Sequence, residues 1–326
     1  MSLQFLEEGR GPAKNRLLWL ADITGRVLVV AIVSALFSTL LNMSGKSSLS
    51  WQTILSNLAE GILFALVLLP LARRLPYRMS TRIISLFLPF YWTTYLGNLV
   101  EALFYTTLPR SELIAGALVF LIPSLIIAWL MAWLFPAYRP EQPVVGIWQA
   151  LRQRPLLSWI WRLLIVGLLY PIFLNYVFGA LFSPILAPYY HNPAFAAQSH
   201  TTSQPFYIFF PEEMVRGIIF ALTLLPALAI LRGRTWPRIF YTMLYLAVFG
   251  VVLEAVIGVA FSETTWPAVL RITETINTGL DGVARGVIMA LFLALPAVVD
   301  KQQQVSDMAA TDQAVPAVAS QEAQSS

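Results

Sequence analysis

Gly61-Ile-Leu-Phe-Ala-Leu-Val-Leu-Leu-Pro70 and Gly217-Ile-Ile-Phe-Ala-Leu-Thr-Leu-Leu-Pro226 are one phrase written twice in the same chain. A second match follows each copy on the next apolar stretch, Gly97-Asn-Leu-Val-Glu101-Ala-Leu and Gly250-Val-Val-Leu-Glu254-Ala-Val. Each half therefore sets one carboxylate in apolar sequence. A shorter match, Ala35-Leu-Phe-Ser38 with Ala180-Leu-Phe-Ser183, precedes them. Together the three predict an internal duplication.

Composition names the solvent of that duplication. Apolar residues make up 58% of the 326 and charged residues 12%, against about 45–50% and about 25% in a soluble domain. Several apolar stretches reach the roughly 20 residues that cross a hydrocarbon core of about 30 Å. The reading places spans at 17–41, 53–72, 82–106, 112–135, 159–183, 213–231, 238–261 and 279–299. The first is too long for the apolar region of a secretory signal, so it counts as a mature helix. The fold class is then all-α integral membrane: about eight transmembrane helices as two parallel four-helix repeats. There is no cysteine, which removes disulfides, thiolate metal sites and a cysteine nucleophile.

The placement of cations predicts orientation. Of the 21 Lys and Arg, Arg10, Lys14 and Arg16 precede the first span, and Arg73, Arg74, Arg78 and Arg82 surround the second connection. Arg139, Arg152, Arg154 and Arg162 surround the fourth, Arg232, Arg234 and Arg238 the sixth, and Lys301 follows the last span. The alternate connections hold only Lys46, Arg110 and Arg271. Basic residues favour the cytoplasmic side, so the chain is expected to be a multi-pass cell-membrane protein with both termini cytoplasmic. The net charge of +4 is thereby a topology signal, and no nucleic-acid partner is expected.

Four spans per half give equivalent helices the same direction, a parallel repeat about an axis along the membrane normal. The domain reading is residues 1–142 for the first repeat, 143–300 for the second and 301–326 for a disordered cytoplasmic tail. That tail lacks large apolar residues with which to order itself. Residues 139–162 mix tryptophans with arginines and read as a short interfacial helix feeding the fifth span. The connection 184–211 holds both histidines, no Lys or Arg, and many aromatic rings. It reads as an external aromatic loop that anchors at the headgroups or binds a protein partner.

Ionisable groups inside spans cost free energy unless they are offset or used. Counting about 1.5 Å per residue, Glu101 lies about 28 Å from Arg82 and Glu254 about 24 Å from Arg238, both in the outer third of the membrane. Arg216, Arg285 and the deeper Glu60 complete a candidate substrate- or ion-binding set, with Asn57 and Asn98 placed one turn before Glu60 and Glu101. Asp281, Glu212 and Glu213 can join the same outward vestibule. The spacing of Glu212 with Arg216, and of Asp281 with Arg285, also suits local pairs at helix starts. The preferred assignment pairs Glu254 with Arg285 or Arg216. It leaves Glu101 and Glu60 to share a proton or bind a cation.

Glu212-Glu213-Met-Val-Arg216-Gly resembles the Glu-Glu-x-x-x-Arg signature of CAAX-type intramembrane proteases, a resemblance that would imply an intramembrane hydrolase. The string is one residue short between the acids and the arginine, and His191 and His200 both precede it. Two histidines nine residues apart in a connection also lack the i, i+4 spacing of a helical zinc site. No catalytic set, metal site or cofactor is therefore assigned. A parallel duplication with Gly and Pro in corresponding helices and acids at corresponding depths favours a transporter or permease for a small solute or ion. The alternative is a scaffold or assembly partner working through its external loop and tail. Beyond the lipid bilayer and that solute, no partner is specified.

Overall fold

The computed structural model describes residues 13–44, 51–75, 78–137, 147–195, 204–230, 239–245 and 267–293. Among these, regular structure is helical throughout, with no strand. The helices are α1 (Ala13–Ser44), α2 (Trp51–Arg74), α3 (Met79–Tyr105), α4 (Arg110–Leu134), α5 (Ile147–Leu151), α6 (Leu156–Tyr190), α7 (Phe206–Ile230) and α8 (Ala268–Phe292). Residues 239–245 form one further helical piece.

Five of these helices, α1 to α4 and α6, are long and apolar enough to cross a membrane. Their outer faces agree with that reading. On α4, Ile114, Leu118, Ile122, Leu125, Trp129 and Trp133 are exposed at three- and four-residue intervals, and the last two rings stack 5.6 Å apart. An apolar stripe of this length facing water would be an aggregation surface; facing lipid it is solvated. The chain is an all-α, multi-pass membrane protein.

The packing has a pairwise logic. α1 lies along α2, α3 along α4, and α6 along α7. At each of the two repeated glycines a neighbouring helix comes into close contact. A Cβ at Gly61 would lie 2.7 Å from the Ala31 carbonyl oxygen, and one at Gly217 would lie 2.8 Å from the Tyr170 Cβ. Small residues permit this approach in lipid, where packing rather than water exclusion holds helices together. One core runs through the assembly, from Val30, Phe64 and Leu68 through Phe90 and Met131 to Phe220 and Leu224. Because α7 contributes to it, the second half is packed into the first.

Arginines close one end of the bundle. Arg82 is buried and donates to the Ala72 carbonyl at 3.2 Å and the Phe135 carbonyl at 2.6 Å. Arg26 of α1 donates to the Leu134 carbonyl, and Arg162 of α6 to the Phe292 carbonyl at 2.5 Å. Each satisfies carbonyls left open at a helix C-terminus, where the dipole favours a cation.

The connection predicted over 184–211 differs from the structure. α6 continues to Tyr190 and α7 starts at Phe206, so most of the aromatic residues are helical. The Tyr190 hydroxyl donates to Glu274 Oε1 at 2.5 Å, and Phe206 packs on Phe210 at 5.3 Å. Pro184 and Pro188 lie within the helix, which is tolerated where an apolar surround favours internal backbone pairing. His200 and Glu254 lie outside the described residues, as does the tail at 301–326.

Other boundaries move as well. α7 and α8 are 25 residues each, and α8 begins well before the predicted 279, because Arg271 and Glu274 are carried on its first turns. Within 139–162 the short helix is α5, whose Leu151 carbonyl accepts from Trp159 Nε1 at 2.9 Å. Only 239–245 of the predicted seventh span is described.

Candidate functional site

Two helices hold the site by running against each other. In α3, Pro89 has no N–H to continue the ladder, and the helix widens to π-type turns over Trp92–Leu96. The Pro89 carbonyl accepts from the Trp92 N–H and from Thr93 Oγ1, the latter at 2.6 Å. Wide turns of this kind re-aim the residues that follow and recur at functional sites. Beyond the turn, Gly97 abuts the Phe220 ring of α7, whose Cζ would be 3.2 Å from a Cβ there. One turn on, Glu101 Oε2 accepts from Arg216 at 2.5 Å. One turn further, the Tyr105 hydroxyl donates to Glu212 Oε2 at 3.3 Å, and its ring meets Phe209 at 6.0 Å. Positions 97, 101 and 105 ascend one face of α3 as 220, 216 and 212 descend one face of α7, the i, i+4 register of antiparallel helices.

The other two walls come from α6 and α8. Arg216 also donates to Glu213 Oε1 at 3.0 Å. Tyr170, the residue before Pro171, is 2% exposed and lies on Gly217. Its ring and that of Phe220 lie 4.8 Å and 5.4 Å from the guanidinium of Arg285, close enough for cation–π attraction. Arg285 also pairs with Asp281 one turn back on α8. Four acids and two arginines thus meet at the helix junction, away from the arginine-closed end. Several of their buried polar atoms have no partner among the described residues: Glu212 Oε1, Glu213 Oε2, Arg216 Nε, Arg285 Nε and the Tyr170 hydroxyl.

The chain matches no known protein-family model, no curated protein and no solved structure. The site is therefore read from its own geometry.

Of the residues selected from sequence, Glu101, Arg216 and Arg285 come together here. Glu60 does not join them. It is 4% exposed on α2, has no hydrogen-bond or ion-pair partner among the described residues, and lies within electrostatic reach of the Tyr95 hydroxyl. Asn57 Nδ2 donates to Thr39 Oγ1 at 3.0 Å across to α1, and Asn98 Nδ2 donates to the Thr94 carbonyl at 3.2 Å. Neither amide serves the glutamate one turn later.

The predicted partnership of Glu101 with Glu60 is replaced by the pair with Arg216, because the face of α3 that carries Glu101 lies on α7 rather than on α2. Within α7, the expected Glu212–Arg216 pair gives way to Glu213–Arg216, and Glu212 turns to Tyr105. The Asp281–Arg285 pair forms as its spacing suggests. Among the described residues, no group of three His, Cys, Asp or Glu is disposed to hold a metal ion.

Sequence reasoning did not select Tyr105 or Tyr170. Tyr105 had a signal, standing one turn after Glu101 on the same helix face. Tyr170 had only its place before a proline in an apolar span.

Proposed function

We propose that this chain is an eight-span permease for a small solute or ion, built from two parallel four-helix repeats, with its binding site between the halves near the outer membrane surface. The observation that carries this reading is the Arg216–Glu101 pair, which joins the two copies inside a cluster drawn from four helices. A bundle that needed only packing would not gather six ionisable groups where each costs free energy to desolvate.

Contacts support the repeat beyond the quoted phrases. Arg26 and Arg162 each donate to the terminal carbonyl of the last helix of their half, at Leu134 and Phe292. Those carbonyls end Met131-Ala-Trp-Leu134 and Met289-Ala-Leu-Phe292, another matched pair. Ser34 and Tyr170, at one spacing from those arginines, meet the repeated Gly61 and Gly217. This register aligns Arg26-Val-Leu-Val-Val-Ala-Ile-Val-Ser34 with Arg162-Leu-Leu-Ile-Val-Gly-Leu-Leu-Tyr170. Ala35 then corresponds to Pro171 rather than to Ala180, so the Ala-Leu-Phe-Ser match is set aside.

In the register of the Gly61 and Gly217 phrases the copies have diverged where the chemistry lies. Ser56, Asn57 and Glu60 of the first copy stand where Glu212, Glu213 and Arg216 stand in the second. The first copy keeps a buried lone acid, and the second holds a charged site. Glu60, Asn57, Asn98 and Glu254 remain in the proposal as lining of the path, with both termini cytoplasmic.

The test uses purified protein in proteoliposomes and a panel of small radiolabelled solutes and ions. Uptake of at least one member is expected, with a loss of tenfold or more in Glu101→Gln and Arg216→Gln. Deletion of 196–203 should leave it intact. Full uptake in both variants, or loss only in the deletion, would discard the permease reading in favour of a scaffold.

A further inference from the structure

α8 is as long as the membrane-crossing helices, yet its 25 residues are not apolar enough to count among them. The cause is one face. Val269, Ile272, Ile276 and Leu280 are exposed at three- and four-residue intervals, a stripe like that of α4. On the opposite side, at the same intervals, stand Arg271, Glu274, Thr278, Asp281 and Arg285, and none of these is exposed. From Glu274 to Arg285 the polar line covers about 16 Å of helix. It faces α6: the Tyr190 hydroxyl donates to Glu274 at one end, and the Tyr170 ring lies against Arg285 at the other. Beyond Arg285 the same face turns to Ile288 and Met289, which belong to the core. The line therefore starts at the end away from the arginine caps and stops at the ion-pair cluster.

Packing alone does not require these residues. The match of Met131-Ala-Trp-Leu134 with Met289-Ala-Leu-Phe292 sets α4 on α8, and in that register Ile114, Leu118 and Ile122 of the exposed stripe fall on Ile272, Ile276 and Leu280. The positions of α4 that match Glu274, Thr278, Asp281 and Arg285 are Gly116, Phe120, Pro123 and Ile127. One copy fills that face without a polar side chain, whereas the other keeps three charges and a hydroxyl where each costs free energy. Two atoms along the line call for water. Asn277 Oδ1 and Arg285 Nε are buried with no hydrogen-bond partner among the described residues, and such atoms are ordinarily satisfied by water. α6 is also widened into π-type turns over Ile172–Gly179, where it lies against α8, a departure that recurs at functional sites. We infer that the Glu274–Arg285 face of α8 lines a water-filled approach along α6, by which a polar solute or ion reaches the Arg216 cluster from the end away from the arginine caps. This rests on the permease reading and places the outer part of its route on the second copy.

Because the chain has no cysteine, single cysteines can be compared in the full-length protein reconstituted into vesicles. Thr278→Cys exchanges one small side chain for another on the polar face of α8. Ile276→Cys stands on the exposed stripe of the same helix, and Phe120→Cys on the matching face of α4. Each is treated, from both sides of the vesicle, with a charged, membrane-impermeant methanethiosulfonate, which attacks the thiolate and so needs water at the site. Modification of Thr278→Cys is expected at least tenfold faster than that of either control. A rate within tenfold of either control would overturn the path, since a polar line that only holds helices together excludes the reagent. The two proposals fail separately. Rapid modification of Thr278→Cys in a protein that takes up no solute keeps the path and discards the permease, whereas Arg216-dependent uptake with Thr278→Cys inert does the reverse.

Discussion

Arg216 is the residue on which the site turns, because one guanidinium serves two acids on different helices. Its two partners differ in setting. Glu213 is buried, whereas the Glu101 side chain is 49% exposed. Removing one member of a buried ion pair leaves the other charge uncompensated, at a cost of about 3–5 kcal/mol; a half-exposed pair is worth about 1 kcal/mol or less. Arg216→Met should accordingly destabilise by about 3–5 kcal/mol, and Glu101→Gln by no more than about 1 kcal/mol. Unfolding of the purified variants in detergent checks both. Equal losses would mean that Arg216 is held mainly by Glu101. The small stability cost predicted for Glu101→Gln also makes it the cleaner probe of uptake.

At the scale of elements, glycines separate contact from coincidence. A Cβ at Gly61 meets the Ala31 backbone at 2.7–2.8 Å, whereas nothing lies within 4 Å of one at Gly116. Backbone cannot swing aside, so Gly61→Val must part α1 from α2 and should cost about 1–3 kcal/mol, the usual toll of overpacking. Gly116→Ala removes backbone freedom without a clash and should leave stability unchanged or raise it by up to about 1 kcal/mol. Melting temperatures of the two variants test the pair. A neutral Gly61→Val would show that the α1–α2 crossing is looser than its geometry implies. The wide turns of α3 over Trp92–Leu96 and of α6 over Ile172–Gly179 belong to this scale too. Both lie next to a proline, and the residues around them, Tyr170 and Glu101, face α7.

At the scale of the whole molecule, alternation of helices across the bilayer is the claim most open to direct measurement. A chain without cysteine allows single-cysteine labelling with no background to remove. Leu108 lies between α3 and α4, and Gln153 between α5 and α6, so one span should separate them. Leu108→Cys should react with a membrane-impermeant maleimide in intact cells, and Gln153→Cys only after permeabilisation. The reverse pattern would invert the orientation drawn from arginine placement. Reaction of both from one side would break the alternation on which two parallel repeats depend.

The sequence by itself determined that this is a membrane chain of long apolar helices with acids set within them. It could do so because the bilayer constrains composition and length residue by residue, without reference to neighbours. The Gly61 and Gly217 phrases were visible for a related reason: they are helix-contact surfaces, which tolerate little change. Partnership was not legible. Glu101 could reach α2 or α7, and only the rotation of α3 beyond its wide turn directs it to Arg216. Tyr170 was hidden because a tyrosine in an apolar span becomes polar machinery only when another helix covers its hydroxyl and brings arginines to its ring. Which face of each helix meets which neighbour depends on contacts between residues far apart in the chain, so tertiary structure decided the site.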